Sequence, residues 1–145
     1  MSKQRGLVDT NILIYAANSQ SSYHLKAKSF LEKNLPLQNL VLTIQNLVEF
    51  YSLITNQKIF SKPFSENKAK DELRKIIDCG LYTIIIPNQN TPRTIMTLLE
   101  KYKTKGSEIH DVHLSAVMID NNIDTIYTAD TKIFLRLGLR VINPF

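Results

Sequence analysis

The strongest constraint on this chain is an acidic residue placed where an apolar strand gives way to a helix. In residues 5–17, RGLVDTNILIYAA, Leu7 and Val8 predict a short buried strand, and the run from Asn11 onward predicts a helix. Asp9 lies between them. A carboxylate at this junction sits at the carboxyl edge of a sheet, where open α/β folds bind ligands. We therefore interpret Asp9 as the first ligand of a divalent metal ion.

Length and composition predict one globular domain spanning residues 1–145. Hydrophobic residues make up 43% of the chain and charged residues 21%, which is an ordinary balance for a folded protein. A chain of 145 residues is long enough to bury a core without disulfides or structural zinc. The net charge of +5 is compatible with an anionic polymer as partner, although charge alone is weak evidence for one.

The single cysteine and the absence of long apolar runs predict a cytoplasmic protein. Cys79 cannot form an internal disulfide, and we interpret it as a small buried hydrophobe in a helical stretch. No signal-peptide pattern follows the basic start of the chain. No apolar run approaches the roughly twenty residues needed to span a bilayer, so no membrane partner is expected.

Strand and helix patterns alternate along the chain, which predicts an α/β fold with a parallel sheet and helices on both faces. Strands are expected at residues 7–8, 40–42, 83–86, 125–128 and 140–142. Helices are expected at residues 11–17, 23–32, 43–54, 65–79, 91–103, 107–121 and 132–137. In the helix after the second strand, an apolar stripe at helical spacing is expected to face the core: Ile44, Leu47, Val48, Tyr51 and Ile54.

Three further acids are expected near Asp9 at the same edge of the sheet. Asp111 lies in the first turn of a buried helix, and Asp130 lies just past the fourth strand. The rise of that helix and the return of that strand are both about 15 Å, so these two acids come back together. Glu49 lies about 7 Å above the same edge, by helical rise.

Each acid also has a purely structural interpretation. Asp9 and Asp130 could cap helices, and Asp111 could respond to the helix dipole. The helical phase of Glu49 places it opposite the apolar stripe, which indicates a solvated face. Helix capping does not explain why all these acids meet at one edge, where close carboxylates repel one another unless a cation is bound.

The ligand chemistry favours Mg²⁺ or Mn²⁺, as one or two ions, over zinc. All four acids offer oxygen, the atom these hard cations prefer. His110 and His113 flank Asp111, but without a nearby cysteine they make a poor zinc set. No glycine-rich phosphate loop and no nucleophile-elbow motif is present.

Four motifs in order resemble the PIN domain, in particular the VapC-like toxin ribonucleases. They are LVDTNILIYAA, the glutamate of NLVEF, the aspartate of IHDVHLSAVMID, and IYTADTKIF followed by GLRVINP. The resemblance extends from Leu7 to Pro144. Only residues 58–93 match nothing in the family pattern.

The resemblance implies a three-layer sandwich whose five-stranded parallel sheet has the strand order 3-2-1-4-5. It also implies an Mg²⁺- or Mn²⁺-dependent endoribonuclease, a small antitoxin partner and a homodimer. By motif, the acidic quartet of the family corresponds to Asp9, Glu49, Asp111 and Asp130. Asn11 and Thr128 correspond to nearby polar supports.

The resulting hypothesis is hydrolysis of RNA phosphodiester bonds by metal-activated water. Two alternatives remain open: a catalytically inert PIN-like module that binds RNA, and an aspartate-based phosphatase. The phosphatase usually has a second acid two residues after its nucleophile, where this chain has Asn11. Candidate contacts to the RNA backbone are basic residues from the middle of the chain: Lys58, Lys62, Lys68, Lys70, Arg74 and Lys75.

Overall fold

The computed structural model describes residues 4–145. Its strands are β1 (Gly6–Val8), β2 (Leu40–Thr43), β3 (Tyr82–Ile85), β4 (Thr125–Tyr127) and β5 (Arg140–Ile142). Its helices are α1 (Thr10–Ala17), α2 (His24–Asn34), α3 (Ile44–Ile54), α4 (Glu66–Asp78), α5 (Thr91–Lys101), α6 (Ile109–Asp120) and α7 (Thr131–Arg136). Short 3₁₀ turns occupy Leu35–Leu37 and Gly106–Glu108.

The five strands form one parallel sheet in the order β3-β2-β1-β4-β5, which confirms the expected topology. β1 lies at its centre, with Leu7 paired to Val41 on β2 and to Ile126 on β4. Because every strand runs the same way, the carboxyl ends of all five meet at one edge. The chain order therefore places the residues after β1, β2 and β4 next to one another.

Two cores lie on opposite faces of the sheet. Leu7, Val41 and Ile126 point into one core, where they pack against α5, α6 and α7. Val8 and Leu42 point into the other, which is covered by α1, α2, α3 and α4. Strands buried on both faces need apolar residues at successive positions, as these strands have. The result is the expected three-layer arrangement of helices, sheet and helices.

The helix starts follow from local hydrogen bonding. Thr43 accepts from the Asn46 amide and Ser65 from the Lys68 amide, so the caps expected for α3 and α4 are confirmed. α6 begins two residues later than predicted, because Gly106 has a φ of +55° and the residues after it form a 3₁₀ turn. No helix within residues 4–145 has both the length and the apolar character needed to cross a bilayer.

Two sequence-based interpretations of burial need correction. Of the apolar stripe expected on α3, Leu47, Tyr51 and Ile54 do pack against the core. Ile44 and Val48 are instead 52% and 63% exposed, whereas Asn46 and Phe50 are buried. Asn46 is buried because it forms part of the helix cap. Phe50 and Ile54, which follow it at intervals of one helical turn, face the sheet on the same side of α3. Cys79 is exposed at the end of α4 rather than buried, because that helix packs through a different face.

Candidate active site

Asp9 and Asp130 lie beside each other because their strands are neighbours in the sheet. The Asp9 amide donates to the Tyr127 carbonyl at 2.9 Å, which continues the β1–β4 pairing by one residue. The Thr128 amide donates to the Ile142 carbonyl at 3.0 Å in the same way. The chain leaves the sheet at Asp9 and at Asp130, which are the N-cap residues of α1 and α7.

The Asp9 carboxylate is held by a buried hydroxyl. Thr128 Oγ1 donates to Asp9 Oδ2 at 2.6 Å and accepts from the Asp130 amide at 2.9 Å. Burial raises the pKa of Asp9, while the Thr128 hydrogen bond and the nearby Asn11 amide lower it, and the charges of Glu49 and Asp130 raise it. The Asn11 backbone amide thus lowers the pKa of Asp9, although the Asp9 side chain forms no capping hydrogen bond with α1. The Asn11 side chain itself is exposed.

Glu49 is bound through both of its oxygens, contrary to the solvated face that its periodicity indicated. Thr10 Oγ1 donates to Glu49 Oε2 at 3.1 Å, and Gln45 Nε2 donates to Oε1 at 2.8 Å. The Thr10 hydroxyl in turn accepts from Asn46 Nδ2 at 2.9 Å. Asn46 also completes the cap of α3 through its bond from the Thr43 amide at 2.8 Å. Asn46 therefore caps α3 and also holds the Thr10 hydroxyl that donates to Glu49.

Asp111 lies in the first turn of α6, and its pKa is shifted upward. Its pKa is raised to about 6, first by desolvation and then by the charges of Asp9, Asp130, Glu49 and Glu108. The four predicted acids therefore lie within electrostatic range of one another. As placed, however, no three His, Cys, Asp or Glu side chains among residues 4–145 converge as a metal-ion site.

The chemistry of this cluster fits a hard divalent cation. All four groups are carboxylates, and their mutual repulsion raises the pKa of Asp111. An opposite charge placed among them would remove that repulsion. Thr128, Thr10 and Gln45 hold two of the carboxylates from outside the cluster.

A cleft of about 830 Å³ opens beside Glu49 and Asp111, between α3 and α6. Its polar lining residues include Gln45, His110 and His113. The remaining lining is apolar, and comes from Ile44, Val48, Pro87 and Val117. Its size and mixed lining suit a site for an organic ligand next to the acids.

The basic residues predicted to contact RNA are all exposed, but they differ in their partners. Arg74 and Lys75 form ion pairs with acids of their own helix at 2.7 and 3.1 Å. Lys68 Nζ lies 4.5 Å from the centroid of the Phe64 ring. Three others form no ion pair within the described part of the chain: Lys58, Lys62 and Lys70.

Sequence reasoning missed three polar residues that support the acids: Thr10, Gln45 and Asn46. Thr10 directly follows Asp9, and Asn46 stands three residues after the Thr43 cap, where a capping box places a polar residue. That spacing was a usable signal for Asn46. The i, i+4 spacing of Gln45 and Glu49 was likewise a usable signal for their contact, whereas the contact of Gln45 with His113 spans 68 residues and had none.

Fold and site together define an open, parallel α/β protein with an acidic pocket at the carboxyl edge of its central strands. The model of the PIN domain family matches residues 6–138. The chain therefore belongs to the PIN domain family. This confirms the resemblance seen in the four sequence motifs.

The most similar curated relatives include two proteins of Mycobacterium tuberculosis. Ribonuclease VapC43 is 26% identical over 119 residues, which cover 79% of each chain. Ribonuclease VapC48 is 22% identical over 138 residues, which cover 94% of this chain and 95% of that protein. Both alignments extend over most of the folded chain.

Solved structures share the fold at low sequence identity. The Mycobacterium tuberculosis toxin VapC20, described as cleaving the sarcin-ricin loop, superposes with a TM-score of 0.69 at 18% identity, covering 92% of this chain and 95% of that one. A chain of a toxin–antitoxin complex from Klebsiella pneumoniae superposes with a TM-score of 0.63 at 22% identity, covering 97% and 98%. A structure of FitAB bound to a DNA fragment has a TM-score of 0.65 at 15% identity, covering 95% of this chain and 94% of that one.

Proposed function

We propose that this protein is an endoribonuclease toxin of the VapC type, which hydrolyses RNA phosphodiester bonds in the cytoplasm. The observation that carries the proposal is the cluster of four carboxylates at the carboxyl edge of a PIN-domain sheet. The names of the curated relatives, VapC ribonucleases, support the same activity. The cleft beside Glu49 and Asp111 gives a nucleotide access to the acids.

We further propose that Asp9, Glu49, Asp111 and Asp130 hold one or two Mg²⁺ or Mn²⁺ ions. When bound, such an ion lowers the pKa of a water molecule and neutralises charge on the scissile phosphate. The chain's own contribution is to keep the ligands oriented: Thr128 fixes Asp9, and Thr10 and Gln45 fix Glu49. Fixed carboxylates reduce the reorganisation that the reaction requires.

The partners we propose are RNA, a small antitoxin protein and a second copy of the chain. The Klebsiella pneumoniae neighbour comes from a toxin–antitoxin complex, which supports the antitoxin. The homodimer is proposed from the resemblance to VapC-like toxins.

The activity is tested with purified protein and end-labelled RNA in EDTA, Mg²⁺ or Mn²⁺. We expect metal-dependent cleavage in the wild type and its loss in Asp9→Asn and Asp111→Asn. Asp78→Asn is the matched control, because it removes the same charge from an exposed position on α4. Circular dichroism must show that all three variants fold.

Other outcomes of this assay would contradict the proposal. Binding of RNA without cleavage would identify an inert RNA-binding module. Release of phosphate from small monoesters, without cleavage of RNA, would identify a phosphatase. Equal cleavage by the wild type and Asp111→Asn would remove the acidic cluster from the mechanism.

A further inference from the structure

Gln45, in the first turn of α3, joins two helices through three contacts. Its Nε2 lies 2.8 Å from Glu49 Oε1 and 3.2 Å from the His110 carbonyl oxygen. Its Oε1 lies 2.6 Å from His113 Nδ1. The amide is therefore surrounded by three partners, two of which belong to α6.

Hydrogen-bond chemistry assigns the direction of each contact. A carboxylate and a carbonyl oxygen can only accept, so the amide nitrogen of Gln45 must face Glu49 and His110. The amide oxygen then faces His113 and can only accept. His113 Nδ1 must therefore carry a hydrogen and donate it.

The chain of bonds connects the second acid of the cluster to the helix that carries the third. It runs from His113 through Gln45 to Glu49, and His113 stands two residues after Asp111 on α6. The other oxygen of Glu49 is held by Thr10 at the start of α1. Glu49 is thus held by Thr10 from its own helical layer and, through Gln45, by His113 from the layer on the other face of the sheet.

We infer that His113 is a positioning residue, which acts through Gln45 to fix the Glu49 carboxylate relative to Asp111. The inference rests on the proposed metal-dependent function, because a fixed Glu49 matters only if the carboxylates share a cation. His113 does not touch the cation or the substrate in this role. It anchors the Gln45 amide oxygen at 2.6 Å, which restricts the movement of the side chain that donates to Glu49.

Substitutions at position 113 test the role of the Nδ1 hydrogen. His113→Leu keeps bulk but has no donor, whereas His113→Asn offers an amide N–H near the position of Nδ1. We expect Mn²⁺ affinity, measured by calorimetry on the metal-free protein, to fall roughly tenfold in His113→Leu. His113→Asn should stay close to the wild type. Equal affinity in all three proteins would overturn the inference, and so would a loss in His113→Asn as large as in His113→Leu.

A double-mutant cycle distinguishes positioning from a general effect on folding. If His113 acts through Glu49, then His113→Leu should not weaken Mn²⁺ binding further in a Glu49→Gln background. A structural role alone would weaken it in both backgrounds. Additive losses would therefore overturn the inference.

Nuclear magnetic resonance tests the hydrogen bond itself, without metal or RNA. A long-range ¹H–¹⁵N spectrum of the labelled protein should show His113 Nδ1 protonated, and Gln45→Ala should remove that preference. A neutral ring protonated at Nε2 alone would overturn the inference. Mn²⁺ binding without RNA cleavage would contradict the proposed function only, whereas a wild type that binds no Mn²⁺ would overturn both.

Discussion

Thr128 and Asp9, separated by 119 positions in the sequence, are joined by a hydrogen bond of 2.6 Å from the threonine hydroxyl to the carboxylate. The bond links the carboxyl ends of β4 and β1, the two strands that deliver Asp130 and Asp9 to the site. Since Thr128 is fully buried, water cannot replace its hydroxyl. The bond therefore stabilises the charged form of Asp9 and the fold together.

Thr128→Val should destabilise the protein by about 1–3 kcal/mol, because it leaves a buried carboxylate oxygen without its donor. The hydrogen bond lowers the pKa of Asp9, so its loss penalises the charged form, and the destabilisation should grow as pH rises. Urea denaturation at several pH values measures both effects. Thr128→Ser is the control, since it keeps the hydroxyl and loses only a methyl group, which costs about 1 kcal/mol. A cost independent of pH would contradict the role assigned to Thr128.

Asp111→Asn should stabilise the metal-free protein at pH 7. The folded-state pKa of about 6 lies above the ordinary value of 3.8, so the folded state binds the proton more tightly and wild-type stability falls as pH rises through that window. For a half-exposed group, solvent screening reduces the gain to about 1 kcal/mol, or about 3–5 °C in Tm.

The gain from Asp111→Asn should shrink steadily toward pH 4 and vanish only below the ordinary pKa of 3.8, where the wild-type carboxyl is protonated in both states. Thermal melts of the two proteins from pH 4 to pH 8 check this, with Asp78→Asn as the control that removes the same charge from an exposed position outside the cluster. A variant less stable than the wild type at pH 7 would contradict the electrostatic account. Added Mn²⁺ should stabilise the wild type more than Asp111→Asn.

Gly6→Ala should destabilise the fold by about 1–3 kcal/mol through overpacking. Gly6 lies in β1, and a Cβ there would collide with the Tyr127 ring on the neighbouring strand. That ring also packs against the Phe30 ring, with centroids 5.0 Å apart, so its freedom to move is restricted. Chemical denaturation of Gly6→Ala, Tyr127→Leu and the double variant tests the collision. Additive costs in the double variant would show that the two positions do not interact.

RNA binding should weaken steeply with salt if exposed lysines contact phosphates. Lys58 and Lys62 are in no ion pair of the described chain, whereas Arg74 and Lys75 are paired within α4. Replacing both free lysines by glutamine should lower the slope of log K against log salt by about 1.4. The matched double variant Arg74→Gln/Lys75→Gln should change it less. An RNA affinity that does not change with salt would show that these lysines do not contact the phosphates.

The sequence predicted the fold and the placement of Asp9 and Asp130 well, since both follow from strand order alone. Strand bounds differed by about one residue, as in β3, whose start is set by its pairing with β2. Such pairing is a tertiary effect that local composition does not encode. The metal-ligand role of the acids remains a prediction.

The environment of Glu49 could not be predicted, because hydrophobic periodicity gave only part of the buried face of α3: Leu47, Tyr51 and Ile54 do pack inward. Apolar Ile44 and Val48 suggested a buried stripe, but the capping box of Asn46 determines which side of the helix faces the sheet. A buried polar residue is invisible to a pattern that counts only apolar ones. The Gln45–His113 contact was equally hidden, since it requires two elements to meet in space.

The arrangement of two cores on opposite faces of one sheet has a consequence for how variants of this protein will behave. Glu49 is carried by a helix of one layer, and Asp111 by a helix of the other. Small repacking deep in either interior, far from any carboxylate, shifts one helix against its counterpart and changes the gap between these two acids. Ion affinity should thus report on remote packing defects before the chain loses its fold.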